Sequence, residues 1–119
     1  MLQLKKDEKP VLLAASAVVL FALLALAGSG LTGRTARRHS VALNWHSPIP
    51  VKGVPVMGYN VYRSVKPGGP YVRIASGVTG LTYHDSIVNN TKTYYYVVTS
   101  VDAAGHESTY STEAQAKIP

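Results

Sequence analysis

Thr93 to Val101 reads TYYYVVTSV, and its reading decides the fold class. Aromatic and β-branched residues dominate it, and these fit a pleated, half-buried surface better than a helix. Alternation along a strand sends Tyr94, Tyr96 and Val98 to one face and Tyr95, Val97 and Thr99 to the other. The first set is large and apolar enough to need a covering layer, so a second sheet is expected to face it.

The same period of two recurs upstream. Val41, Leu43 and Trp45 alternate with Ala42 and Asn44, and the strand ends at His46-Ser47-Pro48. Pro48, Pro50 and Pro55, with Gly53 and Gly58, mark a long loop. In GYNVYRS, Tyr59, Val61 and Arg63 alternate with Asn60 and Tyr62, and Lys66-Pro67-Gly68-Gly69-Pro70 ends the run. Tyr71 to Ala75 and Thr82 to His84 read as two short strands. Downstream, DAAGHES (102–108) is a hairpin loop and 109–118 a last strand. Short strands divided by turn signals, with no helical period between them, predict an all-β antiparallel sandwich. Its interior is expected to hold Trp45, Tyr59, Val61, Tyr94, Tyr96 and Val98.

The N-terminal third is of another kind. Val11 to Ala27, VLLAASAVVLFALLALA, carries no charge, and GSGL extends it to Leu31. As a helix, residues 11–31 would be about 31 Å long, close to the ~30 Å hydrocarbon thickness of a bilayer. Lys5, Lys6 and Lys9 precede it, and Ala25-Leu26-Ala27 has the small-x-small pattern of a signal cleavage site. A transmembrane helix and a cleaved signal peptide both remain open. The division expected is a basic segment at 1–10, the apolar helix at 11–31, a linker at 32–39 and a β-domain at 40–119. TGRTARR shows no alternation, so a first strand before His39 is expected to be short or missing, and its absence would leave six strands.

The net charge of +6 is unevenly placed, +4 before position 40 and only +2 after it. Most of the basicity flanks the apolar run, and no basic cluster with interleaved aromatics exists in the β-domain, so nucleic acid is not an expected partner. The absence of cysteine excludes disulfides, thiolate metal sites and thiol nucleophiles.

HSVALNW, GYNVYRS, GGPYVRIAS and TYYYVVTSVDAAGHES together resemble successive strands of fibronectin type III domains, most closely the bacterial kind. The resemblance covers roughly residues 40–119. It implies an immunoglobulin-like sandwich in which Trp45 is the core tryptophan and the Tyr94 hydroxyl bonds backbone in the preceding corner. The integrin-binding tripeptide of some animal relatives is absent from DAAGHES, so integrin binding is not implied.

Sites are sparse. His84-Asp85, with Ser86, is an adjacent His and carboxylate pair such as a hydrolase would need, but strand neighbours point to opposite faces, so Asp85 is expected to bond its own turn. His39, His46, His84 and His106 lack metal-ligand spacing, and no catalytic residue, cofactor or metal site is expected. Asp102 and Gly105 fit turn geometry, and Asn89-Asn90-Thr91 matches a glycosylation sequon. The surface with most promise lies opposite the core-facing tyrosines. Tyr62, Tyr71 and Tyr95 are expected to form an exposed aromatic strip suited to a sugar or a protein, against the plainer alternative of cross-strand pairing. The function expected is a non-catalytic protein- or carbohydrate-binding or adhesion module. It would be single-pass in the membrane through 11–31 with the β-domain outside the cytoplasm, or secreted if cut near Ala27. An assembly role through the small residues Ala14, Ala17, Gly28 and Gly30 is the alternative, and a hydrolase the remote one.

Overall fold

The computed structural model describes residues 18–21, 38–49 and 51–119. Seven strands are found among them: β1 Val18–Phe21, β2 Val41–Trp45, β3 Val56–Ser64, β4 Val72–Val78, β5 Thr82–Asp85, β6 Thr93–Asp102 and β7 Ala114–Lys117. They form two antiparallel sheets, ordered β1-β2-β5 and β4-β3-β6-β7. No helix occurs among the described residues, and none there is long and apolar enough to cross a membrane.

One expectation changes at the N-terminus. Val18–Phe21, inside the run read as a helix, is instead an edge strand whose residues pair with β2 from Val18 with Trp45 to Phe21 with Ala42. Of the two alternatives for the first strand, the short one is found, and it makes seven. Val18, Val19, Leu20 and Phe21 suit a strand as well as a helix, because short apolar runs do not reveal their period. The rest of 11–31, the basic segment 1–10 and linker residues 32–37 lie outside the described residues.

The core forms where the two sheets face each other. Val41, Leu43 and Trp45 of β2, Tyr59 and Val61 of β3, Tyr94, Tyr96 and Val98 of β6, and Ala116 and Ile118 make one buried cluster. All six residues expected to fill the interior are in it. Trp45 meets Tyr59 edge-on, ring centroids 5.4 Å apart, an arrangement that suits the ring quadrupoles. The Tyr94 hydroxyl is tied to the corner backbone, accepting the Asn89 N–H at 3.0 Å, so here the phenol accepts and the corner donates.

A polar cluster joins the sheets at one end. Asp85, on β5 and buried, accepts from Arg63 Nη1 and from the Tyr96 hydroxyl, both at 2.8 Å, while its Oδ1 takes the Ile87 N–H at 3.0 Å. Arg63 also donates to the Ile87 carbonyl and lies over the Tyr94 ring at 5.1 Å. Burial pulls the Arg63 pKa down, but Asp85 and the two tyrosines outweigh it and leave the guanidinium above its ordinary value. Burial, then Asp85, push the Tyr96 phenol up. Both partners of the charge are thus satisfied, which a buried carboxylate requires.

Candidate binding site: a tyrosine face

The outer face of the four-stranded sheet is built by bulges and by one irregular strap. Between the pairs Tyr59 with Val78, Val61 with Ala75, and Tyr62 with Arg73, β4 advances one residue more than β3 at each step. Gly77, at φ 65°, supplies the left-handed backbone of one bulge, and its N–H goes to Asn60 Oδ1 at 3.2 Å. The extra residue near Ile74 lets Ile74 and Ala75 both pack toward the core while Arg73 keeps the face of Tyr62.

The strap is Glu107-Ser-Thr-Tyr-Ser-Thr-Glu113, between β6 and β7. Its serines replace a regular ladder. Ser108 N–H donates to the Ser100 carbonyl at 2.9 Å and Ser108 Oγ accepts the Ser100 N–H at 2.8 Å. Ser111 does the same with Val98, at 2.8 and 2.9 Å. Each serine so covers both backbone groups of a β6 residue, which an unpaired strand edge needs. Anchors three residues apart on the strap match residues two apart on β6, and the mismatch frees Tyr110 to lie over the sheet.

Tyr110 meets Tyr62 edge-on at 5.3 Å between centroids and Tyr71 at 5.1 Å. It is 49% exposed, whereas Tyr62 and Tyr71 are half-buried. The ends of the strap hold the outer two rings. Both Glu107 carboxylate oxygens accept from the Tyr62 hydroxyl, at 2.8 and 2.7 Å, and Oε1 also accepts from Asn60 Nδ2. Glu113 Oε2 accepts from the Tyr71 hydroxyl and, at 2.7 Å, from the Gly68 N–H. Burial, then the bond to Glu107, raise the Tyr62 pKa above its usual value. Burial and then Glu113 push Tyr71 up to about 12. Both phenols therefore stay protonated and donating at neutral pH.

The expected strip is thus partly assembled. Tyr62 and Tyr71 are brought together, but through Tyr110, which sequence reasoning placed in a regular last strand. Tyr95 shares the face, since its cross-strand partner is Ser64, but it joins no ring contact of the ladder. Val97 and Thr99, expected to face solvent, do lie opposite the core yet are 2% and 1% exposed. They pair with Tyr62 and Asn60, beneath the tyrosine layer, so the face is a second covered surface and not a bare sheet.

Elsewhere, His84 is exposed and Asp85 buried, on opposite sides of β5. The histidine that does meet a carboxylate is His106, whose Nδ1 lies 2.8 Å from Asp102 Oδ2. Asp102 Oδ1 also accepts the N–H groups of Ala104 and His106, and Gly105 sits at φ 85°, so the pair caps the β6–β7 turn. The small burial of Asp102 works to raise its pKa, but the two N–H groups and the His106 ring outweigh it and lower it. Among the described residues no group of three metal-ligating side chains occurs.

No family model matches the chain. It is 50% identical over 60 residues to an amylopullulanase of Thermoanaerobacter thermohydrosulfuricus, a match over 50% of this chain but only 4% of that enzyme. Among solved structures, it is similar to an Fn3-like protein from Clostridium thermocellum, with a TM-score of 0.66 and 28% identity over 88% of this chain and 91% of that one. It also matches the sixth fibronectin type III domain of human fibronectin type III domain containing protein 3, at a TM-score of 0.64 and 18% identity, over 89% of this chain and 84% of that one. The β-domain, two facing antiparallel sheets with Trp45 buried between them and Tyr94 tied to the corner backbone, has the fibronectin type III fold of these neighbours.

Proposed function

We propose that the chain is a non-catalytic binding module, exported or held at a membrane, whose fibronectin type III domain engages carbohydrate through the Tyr62–Tyr110–Tyr71 face. The observation that carries this reading is the ladder itself, with an exposed ring seated edge-on between two tyrosines whose hydroxyls are fixed by Glu107 and Glu113. Amphipathic rings held rigidly offer apolar area at little entropic cost, and the carboxylates beside them keep lone pairs for ligand hydroxyls. The likeness to a small part of an amylopullulanase favours carbohydrate over protein as the ligand, and an accessory role over a catalytic one. The two His–carboxylate candidates also favour a non-catalytic role: Asp85 is engaged by Arg63, Tyr96 and its own turn, and Asp102 by the hairpin.

The export or anchoring part rests on the lysines before the apolar run and on the run's length. Pairing of Val18–Phe21 with β2 and insertion of the same four residues in a bilayer exclude each other within one molecule. Mass determination of the mature N-terminus, with carbonate extraction of membranes, decides between anchor, cleaved signal and docked strand.

Binding is tested by affinity electrophoresis of the full chain in gels containing pullulan, in a detergent without a sugar headgroup. Retardation of the wild type that Tyr110→Ala abolishes is the expected result. Equal mobility of the two proteins at every pullulan concentration would overturn the assignment of the face.

A further inference from the structure

We infer that the tyrosine face takes an uncharged glycan, with Arg73 as the residue that orients its hydroxyls, an inference resting on the carbohydrate reading above. Two arginines sit in adjacent registers on this sheet, and they are used differently. Arg63 pairs with Val72 and is committed to Asp85 and to the Ile87 carbonyl on the core side. Arg73 pairs with Tyr62, so it shares the outer face with the ladder. It is exposed and makes no hydrogen bond or ion pair among the described residues. A guanidinium without a partner is a planar fork of donors, the geometry that meets two neighbouring oxygens at once.

The acceptors that bond the ladder's outer rings are complementary. Glu107 and Glu113 are oriented by tyrosine hydroxyls and by Asn60 and Gly68, so their remaining lone pairs point from fixed positions. Fixed donors and acceptors on either side of apolar rings suit a ligand whose hydroxyls donate and accept in turn, as those of a neutral sugar do.

Charge narrows the class further. Two carboxylates bond the outer rings, Arg73 is the cation in register with Tyr62, Lys66 lies in the loop whose Gly68 N–H meets Glu113, and Lys117 sits farther off, at the pair with Thr93. An acidic polysaccharide would set its own carboxylates within a Debye length, roughly 8 Å at physiological salt, of Glu107 and Glu113. Arg73 and Lys66 are exposed and make no ion pair with either glutamate, so they offset the repulsion only in part. A neutral chain meets no such penalty. Because Tyr110 links Tyr62 to Tyr71 through two successive ring contacts, the apolar surface is longer than one ring and suits an extended oligosaccharide.

The test uses the full chain and two polymers, pullulan and polygalacturonate. Pullulan is expected to bind with an affinity that changes less than about two-fold between low and physiological salt. Arg73→Ala should weaken it at least five-fold and Arg73→Lys to an intermediate degree, since Lys keeps the charge and loses the fork. Polygalacturonate should bind at least ten-fold more weakly than pullulan. Arg73 is exposed and contributes no contact to the core, so its variants should melt with the wild type.

Pullulan affinity unchanged in Arg73→Ala but lost in Tyr110→Ala would sink the role of Arg73 and leave the carbohydrate reading standing. Polygalacturonate binding as tightly as pullulan, and weakening with salt, would overturn the neutral class. Failure of both polymers to bind would remove the carbohydrate reading itself.

Discussion

Replacing Asp85 by Asn keeps the side-chain shape and removes the charge that joins β5 of one sheet to β3 and β6 of the other. Asp85 is 3% exposed and receives three donors, Arg63 Nη1, the Tyr96 hydroxyl and the Ile87 N–H. Asn keeps one oxygen, which can serve either the Ile87 N–H or the two side chains that share Oδ2, and its NH2 then faces the donors left over. Leaving a buried hydroxyl such as that of Tyr96 unpaired costs about 1–3 kcal/mol, and losing a charge-assisted bond costs about 1.5–3 kcal/mol. Breaking a buried ion pair costs about 3–5 kcal/mol as a rule. Because the Arg63 side chain is 24% exposed, water compensates part of its loss, and about 3 kcal/mol is expected. For a domain of this size each kcal/mol lowers the melting temperature by about 4–8 °C, so Asp85→Asn should melt roughly 12–24 °C below the wild type. Thermal unfolding of the full chain followed by Trp45 fluorescence is the assay, with His84→Ala, next along β5 and exposed, as the neutral control within about 0.5 kcal/mol. A drop of less than about 4 °C in Asp85→Asn would refute the argument that this cluster clamps the sheets together.

Three further outcomes follow from the same geometry. Tyr62, Tyr71 and Tyr96 all titrate above the free phenol value of 10.0, Tyr71 at about 12, so between those values the folded chain holds protons that the unfolded chain has lost. Stability should therefore be full below pH 10 and fall as pH rises toward 12, seen as a falling urea midpoint. Ser111→Ala removes the hydroxyl that accepts the buried Val98 N–H, and should cost about 1–3 kcal/mol in denaturant unfolding while raising amide exchange at Val98. Gly105→Ala meets open space but a φ of 85°, so it should cost about 1 kcal/mol from backbone strain alone and leave the Tyr110 ladder intact by near-ultraviolet circular dichroism.

What could be read from the sequence was what depends on neighbours two residues apart. Alternation in VALNW, GYNVYRS and TYYYVVTSV placed β2, β3 and β6 and the ring-filled interior, and turn residues bounded them. The tie at Tyr94 came from resemblance, and the structure supplies its direction, the phenol accepting the Asn89 N–H. The partner of Asp85 was hidden because Arg63 lies 22 residues away and the two meet only once the sheets close. Tyr110 was missed for a different reason. TYSTE reads as a strand by composition, and only the bonding of Ser108 and Ser111 to β6 makes it a strap. The near-symmetric ESTYSTE, with a Glu at each end of paired Ser-Thr units, was the available signal. Tyr95 was singled out by parity, which fixes a face but not a neighbour. Val18–Phe21 escaped because a long uncharged run says helix or membrane before it says strand.

The assignment of the binding face is tested most directly by following the aromatic ring resonances while a pullulan-derived oligosaccharide is added. Shifts at Tyr62, Tyr71 and Tyr110, with the loops at 47–55 and 102–106 unmoved, are the result expected. Shifts confined to those loops, or no shift at saturating oligosaccharide, would contradict it.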